Sequence, residues 1–254
     1  MNRRDRSRRR VLLLGLVAAL AGGCARPSDT TADTTARGNA PAPVSPQPAP
    51  GSEAAEGPAG GPGARAAAEG PLVVFLGDSL TAGLGVAAAE AFPEQVRQGL
   101  AAEDVPVRVV NAGISGDTSA GGLARLDWLL RQRPDVLVVG LGANDGLRGL
   151  ELSETEANLR AIVEGAREAG ARVLLLGMLL PPNYGPDYTR GFREIYPRLA
   201  HELDVPLVPF LLTGVAGIPE LNQADGIHPT AAGHRLMAGN VLPELRALLK
   251  PLPG

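Results

Sequence analysis

The chain has 254 residues and a formal net charge of −3; 44% of its residues are hydrophobic and 20% are charged. This composition is typical of a soluble globular protein and excludes a polytopic membrane protein, a coiled coil and a collagen-like fibre. The single cysteine excludes a disulfide framework and a cysteine-based zinc ribbon. Residues 1–10 carry six arginines and one aspartate, a net +5, so the other residues together carry −8, which argues against a nucleic-acid partner.

The first 23 residues have the layout of a secretory signal. The arginine-rich head is followed by an apolar run over residues 11–21, which is shorter than the roughly 20 apolar residues that a membrane-spanning helix needs. The string AGGC that ends at Cys24 resembles a bacterial lipobox, in which the cysteine becomes the lipidated N-terminus. We therefore expect an exported, membrane-anchored lipoprotein, periplasmic or on the cell surface. An ordinary cleaved signal with a chance cysteine is the alternative, and the SRR string at residues 7–9 leaves twin-arginine export open.

The segment from Cys24 to residue 70 is rich in alanine, proline and glycine, and its only branched aliphatic residue is Val44. Such a segment buries too little apolar surface to offset the entropy lost on ordering, so we expect it to be disordered. A flexible segment of this length would tether a domain beside a membrane surface.

Short apolar runs alternate with segments of helical apolar spacing over residues 71–254. The predicted strands are residues 72–76, 107–110, 136–140, 173–177 and 206–210. The predicted helices are residues 92–100, 123–130, 159–169, 192–203 and 231–249. This alternation predicts one doubly wound α/β domain with a parallel sheet covered on both faces. In such sheets ligands bind outside the carboxyl ends of the strands.

Polar, glycine-rich turns follow the predicted strands, and four of them would meet at one rim. Their sequences are GDS at 77–79, NAGISGD at 111–117, GAND at 142–145 and DGIHP at 225–229. Ser79 lies where the first strand turns sharply, which would expose its hydroxyl above the sheet. A serine hydroxyl is a weak nucleophile and needs a neighbouring base.

The chain has three histidines, and one of them fits the role of that base. His201 lies near the end of a predicted helix, and His234 lies within the last predicted helix, where we expect a surface or packing residue. His228 lies in a predicted rim loop, three residues after Asp225. At this spacing the carboxylate can accept a hydrogen bond from one ring nitrogen, which leaves the other nitrogen as the base.

Acyl transfer by a serine also requires donors for the oxyanion of the tetrahedral intermediate. The backbone N–H of Ser79 is one candidate. Gly116 could offer a second N–H, since it lacks a Cβ that would block close approach, and Asn144 could offer its side-chain amide. Ordinary turn chemistry explains a glycine and an asparagine at these positions equally well.

Four ordered motifs resemble the blocks of the SGNH, or GDSL, hydrolase superfamily. They are GDSL at 77–80, GDT at 116–118, GAND at 142–145 and DGIHP at 225–229. Further agreement at residues 111–119, 144–149 and 180–185 resembles the branch of bacterial thioesterase I, lysophospholipase L1 and arylesterase. The resemblance covers residues 72–249 and implies a flavodoxin-like three-layer α/β/α sandwich with a mostly parallel five-stranded sheet.

The resemblance also implies roles for individual residues. Ser79 would be the nucleophile, and Asp225 and His228 would complete a catalytic triad. The oxyanion hole would comprise Ser79, Gly116 and Asn144. Members of this family need no metal or cofactor.

The activity implied is that of a serine esterase that hydrolyses acyl esters, with thioesters or lysophospholipids as further substrates. Leu180 and Tyr184 would lie over the acyl site and bind the substrate, which would be a small-molecule or lipid ester. A carbohydrate O-acetylesterase is the alternative, which would need a small acyl pocket beside a wide polar cleft. A surface-tethered binding module of the same fold, without activity, is a third interpretation.

Two other enzyme classes fit less well. The glycine pattern at residues 83–88 resembles a dinucleotide fingerprint, but it begins seven residues after the first predicted strand instead of within the turn. Aspartates at four predicted strand ends suggest a magnesium-dependent phosphohydrolase, but the chain's only lysine lies in the C-terminal tail. Three of these residues, Asp78, Asp117 and Asp145, are expected to stabilise loops by hydrogen bonds.

Overall fold

A computed structural model of the protein describes residues 70–250. The predicted signal over residues 1–23, the lipidation site Cys24 and the tether up to residue 69 lie outside the described residues. Residues 251–254 lie outside them as well. The boundaries between signal, tether and domain therefore stay predictions.

A parallel sheet forms the centre of the described domain. Its strands are β1 (Leu72–Gly77), β2 (Arg108–Gly113), β3 (Val136–Gly140), β4 (Arg172–Leu176) and β5 (Leu207–Val208). Over residues 70–250 these five strands lie in the order β2-β1-β3-β4-β5, and every neighbouring pair is parallel. The strand order reverses between β1 and β3, because the chain passes from β2 back across β1. This is the topological switch point at which doubly wound sheets bind ligands.

Helices cover both faces of the sheet. They are α1 (Ser79–Ala82), α2 (Phe92–Ala101), α3 (Ser119–Ala124), α4 (Leu126–Leu130), α5 (Ala143–Leu147), α6 (Leu152–Glu168), α7 (Pro186–Glu202) and α8 (Ala231–Leu249). Helix α2 packs against α8, and α6 packs against both α3 and α7. Crossovers between parallel strands are right-handed in nearly all proteins, so the reversal of strand order predicts that these two groups cover opposite faces. The predicted three-layer α/β/α class is confirmed.

The apolar strands explain why the sheet lies in the middle. All residues of β1 and β3 are buried, and burial of branched aliphatic side chains contributes about 1.5–3 kcal/mol for each. Such strands cannot lie at a surface, so helices must cover both of their faces. None of the helices between residues 70 and 250 is long and apolar enough to cross a membrane.

The structure corrects several of the predicted elements. Helices α6 and α7 begin at Leu152 and Pro186, earlier than the expected residues 159 and 192. Strand β5 was expected over residues 206–210 but pairs only at Leu207–Val208. Pro206 and Pro209 flank it, and a proline has no N–H with which to continue the ladder. Strand β2 continues through Gly113, so the first part of the predicted 111–117 turn belongs to the sheet. The helix expected over residues 123–130 is two helices, α3 and α4, separated at Arg125.

Candidate active site

Ser79 lies directly after β1, as the first residue of the short helix α1, and is 9% exposed. Asp78 caps this helix, because its Oδ1 accepts a hydrogen bond of 3.0 Å from the N–H of Leu80. The helix can lie close to the end of β2 because Gly113 has no side chain: a Cβ there would meet the Ala82 nitrogen at 2.2 Å. The strand end and the cap together hold the serine at the rim of the sheet.

Asp225 and His228 form a compact turn opposite Ser79. Oδ1 of Asp225 accepts hydrogen bonds from the N–H groups of Ile227 at 2.9 Å and His228 at 3.0 Å. Its Oδ2 lies 2.7 Å from Nδ1 of His228. The other ring nitrogen, Nε2, lies 3.0 Å from Oγ of Ser79. A continuous chain of hydrogen bonds therefore runs from the carboxylate through the imidazole to the hydroxyl.

The charge of Asp225 decides which ring nitrogen of His228 carries the proton. The backbone N–H of His228, its ring, and the N–H of Ile227 hold the pKa of the Asp225 carboxyl well below its ordinary value. An ionised carboxylate only accepts hydrogen bonds, so Nδ1 must donate to it. The lone pair of Nε2 then faces the Ser79 hydroxyl, which is the arrangement that a general base requires.

Gly116 and Asn144 lie in the segments that follow β2 and β3. Gly116 has a φ of +81°, a left-handed conformation that favours glycine, and its carbonyl accepts a hydrogen bond of 2.7 Å from Arg148. Asn144 is in the first turn of α5. Its Nδ2 lies 3.0 Å from the carbonyl oxygen of Asp117 and 3.3 Å from Oδ2 of Asp78. The structure thus brings together the ends of three strands, β1, β2 and β3.

The aspartates at the strand ends stabilise loops by hydrogen bonds, as expected from the sequence. Asp145 is buried and accepts hydrogen bonds from the N–H of Ser119 at 2.9 Å and from its hydroxyl at 2.5 Å. Asp117 forms an ion pair of 2.8 Å with Arg125. Asp78 is buried as well, and burial raises the pKa of its carboxyl to about 6. Over residues 70–250, no group of three or more potential metal ligands forms a metal-binding cluster.

The other two histidines lie away from the serine. His201 is exposed, in the last turn of α7. His234 was expected to be a surface or packing residue, and the surface alternative is wrong: the side chain is 1% exposed. Its ring stacks on Phe92 with the two planes 9° apart, and its Nδ1 accepts the Phe92 N–H at 3.2 Å. The periodicity of the last helix could have indicated this inward position.

A cavity of about 490 Å³ lies between the loop after β4 and the start of α7. Leu179, Leu180, Pro182 and Pro186 form the apolar part of its wall, and Thr189, Arg190 and Arg193 of α7 form the polar part. Leu180 also packs against Gly146, on the helix that carries Asn144. Tyr184 is not part of this wall; its hydroxyl donates a hydrogen bond of 3.0 Å to the carbonyl of Leu147. Leu180 thus lies on the apolar part of the cavity wall, whereas the hydroxyl of Tyr184 links the loop to α5.

The part of the chain that carries Ser79, Asp225 and His228 matches a known protein family. Residues 75–236 match the GDSL-like lipase/acylhydrolase family, which is more than half of the chain. The chain belongs to this family. The predicted resemblance is confirmed, and so is the prediction of a GDSL-type ester hydrolase.

Several relatives of the chain are similar over most of the described domain. Over 186 residues it is 48% identical to esterase TesA of Pseudomonas aeruginosa, covering 73% of this chain and 92% of that protein. It is 44% identical to thioesterase 1/protease 1/lysophospholipase L1 of Escherichia coli over the same length, covering 73% and 88%. The crystal structure of TesA matches with a TM-score of 0.68 at 46% identity, covering 70% of this chain and 99% of that chain.

The buried His234 makes the stability of this hydrolase depend on pH. Burial lowers the pKa of His234 from 6.5 to about 4, so between these values the unfolded state binds the proton more tightly. The free energy of unfolding should therefore decrease as the pH falls from 6.5 to 4, by at most about 3 kcal/mol from this residue. Asp78, with its raised pKa, acts in the opposite direction over much of this range.

Urea unfolding of the wild type and of His234→Gln at several pH values isolates the contribution of the histidine. The glutamine oxygen can still accept the Phe92 N–H, but it does not titrate. We expect the wild-type free energy of unfolding to rise more steeply between pH 4 and 6.5 than that of the variant. Equal slopes would contradict the assignment.

Proposed function

We propose that this protein hydrolyses acyl esters through a covalent acyl-serine intermediate, with Ser79 as the nucleophile, His228 as the general base and Asp225 as the residue that orients the base. The observation that carries the proposal is the chain of two short contacts. Asp225 Oδ2 lies 2.7 Å from His228 Nδ1, and His228 Nε2 lies 3.0 Å from Ser79 Oγ. Both distances are within the range that proton transfer requires.

The reaction proceeds in two steps on this geometry. Nε2 of His228 takes the hydroxyl proton as Oγ of Ser79 bonds to the acyl carbon, and the carbonyl oxygen becomes an oxyanion. His228 then donates this proton to the departing alcohol or thiol, which leaves the acyl group on Ser79. A water molecule gives a proton to His228, attacks the acyl-serine, and releases the acid with the proton returned to Oγ.

The donors for the oxyanion are the N–H groups of Ser79 and Gly116 and the amide of Asn144. Within residues 70–250, the backbone N–H groups of Ser79 and Gly116 donate no hydrogen bond to another group of the chain. Both are therefore available to a substrate. Asn144 directs its Nδ2 at two acceptors, and the contact to Asp78 is the longer one at 3.3 Å. Sharing or releasing that contact would let one amide hydrogen reach the oxyanion.

The substrate class we propose is an ester or thioester of a medium or long acyl chain, including lysophospholipids. The names of two relatives, a thioesterase 1/lysophospholipase L1 and an esterase, support this range of substrates. The apolar part of the cavity wall supports it as well, since it includes Leu180, which packs on the helix that carries Asn144. An acyl chain in this cavity would bury its apolar surface against these leucine and proline side chains.

We further propose that the protein is exported and anchored to a membrane through a lipid on Cys24. The arginine-rich head, the apolar run at residues 11–21 and the string AGGC support this proposal. A tether of about 46 residues would give the domain a reach of tens of ångströms from the membrane surface.

Ser79→Ala and His228→Ala should each lower kcat on the order of 10³–10⁶-fold, because the members of a triad act as a unit. The assay is steady-state hydrolysis of a p-nitrophenyl ester by the purified full-length protein. His201→Ala is the matched control, since this exposed histidine lies outside the site and its loss should leave kcat unchanged. Near-normal turnover by Ser79→Ala would contradict the mechanism.

A series of p-nitrophenyl esters from acetate to palmitate should give a maximum of kcat/KM at medium or long chains. The reason is that each additional CH₂ buried in the cavity contributes about 0.8 kcal/mol. A sharp maximum at acetate would favour the O-acetylesterase alternative instead. Absence of Ser79-dependent turnover on every ester would favour the binding module.

Cys24→Ser should abolish incorporation of radiolabelled palmitate in growing bacterial cells and move the protein from the membrane fraction to the supernatant. Ser52→Ala, a substitution within the tether, is the control and should leave both unchanged. Palmitate incorporation that persists in Cys24→Ser would contradict lipidation at this residue.

A further inference from the structure

Arg125 lies at the break between α3 and α4, with a φ of −107° and a ψ of 3° that interrupt the helical path. Its side chain is only 18% exposed, although it belongs neither to the triad nor to the proposed oxyanion donors. This backbone conformation is ordinary at a helix end, so the role of Arg125 follows from the contacts of its guanidinium.

The guanidinium joins the ends of two strands to the loop that follows β2. Its Nη1 donates to the carbonyl of Ala112 at 2.6 Å, and its Nη2 donates to the carbonyl of Gly77 at 3.0 Å. Its Nε donates to Oδ2 of Asp117 at 2.9 Å. Three nitrogens of one planar guanidinium therefore hold β1, β2 and the loop in a fixed relation. Among the side chains, only arginine has hydrogen-bond donors in this rigid, planar arrangement.

Asp117 in turn restrains the two proposed oxyanion donors other than Ser79, which are Gly116 and Asn144. Gly116 precedes it in the chain, so a fixed Asp117 limits where the Gly116 N–H can point. The carbonyl oxygen of Asp117 accepts the Asn144 amide at 3.0 Å. A shift of Asp117 would therefore move both donors at once.

The contacts close into a ring that includes Asp78, the residue before the nucleophile. From Arg125 it runs through Asp117 and Asn144 to Oδ2 of Asp78, at 3.3 Å from Asn144. Asp78 is bonded to Gly77, whose carbonyl Arg125 holds, and it precedes Ser79 in the chain. When the contact between Asn144 and Asp78 is released to a substrate, the hydrogen bonds of Arg125 to Gly77, Ala112 and Asp117 still hold the end of β1 beside the loop that carries Gly116.

We propose that Arg125 is a positioning residue of the oxyanion hole, which aligns Gly116 and Asn144 with Ser79 without contacting the substrate. This inference rests on the acyl-transfer mechanism proposed above. It adds that an arginine outside the motif residues GDSL, GAND and DGIHP controls stabilisation of the transition state. A misplacement of the donors by a fraction of an ångström weakens the transition state more than it weakens substrate binding.

The experiment compares Arg125→Lys, Arg125→Gln and Asp117→Asn with the wild type. For each protein, kcat/KM is measured on a p-nitrophenyl ester, together with the Ki of an alkylboronic acid, which forms a tetrahedral anion on Ser79. We expect Arg125→Gln to lower kcat/KM on the order of 10- to 100-fold and to raise Ki by a similar factor. Across the series, log Ki should follow log(KM/kcat) with a slope near one, because the boronate resembles the transition state.

Arg172→Gln is the matched control for a purely structural role. Arg172 is partly buried and also donates to backbone carbonyls, those of Leu248 and Lys250, but it lies at the amino end of β4. Its loss should lower the melting temperature while leaving kcat/KM and Ki unchanged. Arg125→Lys guards against misfolding of the glutamine variant, since it keeps the charge and one of the three hydrogen bonds.

Folded Arg125 variants with wild-type kcat/KM and Ki would overturn the inference, as would lower activity without a matching change in Ki. Either result would leave the proposed function intact, since the wild type would still show turnover that depends on Ser79. Failure of the proposed function itself would appear as a wild type that neither hydrolyses the ester nor binds the boronate. Restoration of Arg125→Gln activity by millimolar guanidinium, with no effect on Arg172→Gln, would support the inference further.

Discussion

Complete burial of β1 and β3 is the constraint on which the site depends. Because both faces of these two strands are covered, a polar site can form only at the strand ends. The strand order reverses between these same two strands, so their carboxyl ends border an open crevice. Ser79 follows β1 and Asn144 follows β3, so both lie at that crevice. The hydrophobic core and the location of the chemistry thus have a single cause.

Two carboxylates near Ser79 have opposite electrostatic environments, and the difference separates their roles. Asp225 lies on an exposed turn, where three hydrogen bonds keep its pKa low and its charge fixed. Asp78 is buried beside the nucleophile, and burial raises its pKa to about 6. The first suits a residue that must remain negative as His228 gains a proton. The second accepts hydrogen bonds from N–H groups of α1 and α5, and the one from Leu80 opposes part of the rise in its pKa.

Much of the fold could be predicted because its information is local. The apolar runs of β1 and β3 and the periodicity of α8 indicate their elements directly, and the three-residue spacing of Asp225 and His228 indicates that they can pair. Contacts between distant segments could not be read from the chain. Helical spacing across residues 123–130 gives no sign of a break, because the break accompanies hydrogen bonds from Arg125 to β1 and β2. Similarly, the pairing of the Asn144 amide with Asp78 joins residues 66 positions apart.

The central claim is that Ser79 is a nucleophile activated by His228, and covalent labelling tests it most directly. The protein would be treated with an alkyl fluorophosphonate, which phosphonylates activated serines, and the intact protein and its peptides would be weighed by mass spectrometry. We expect one adduct per chain, on the peptide that contains Ser79, with much slower labelling in His228→Ala and none in Ser79→Ala. Ester hydrolysis by a protein that gains no adduct at Ser79 would contradict this claim. An adduct on another serine would contradict it as well.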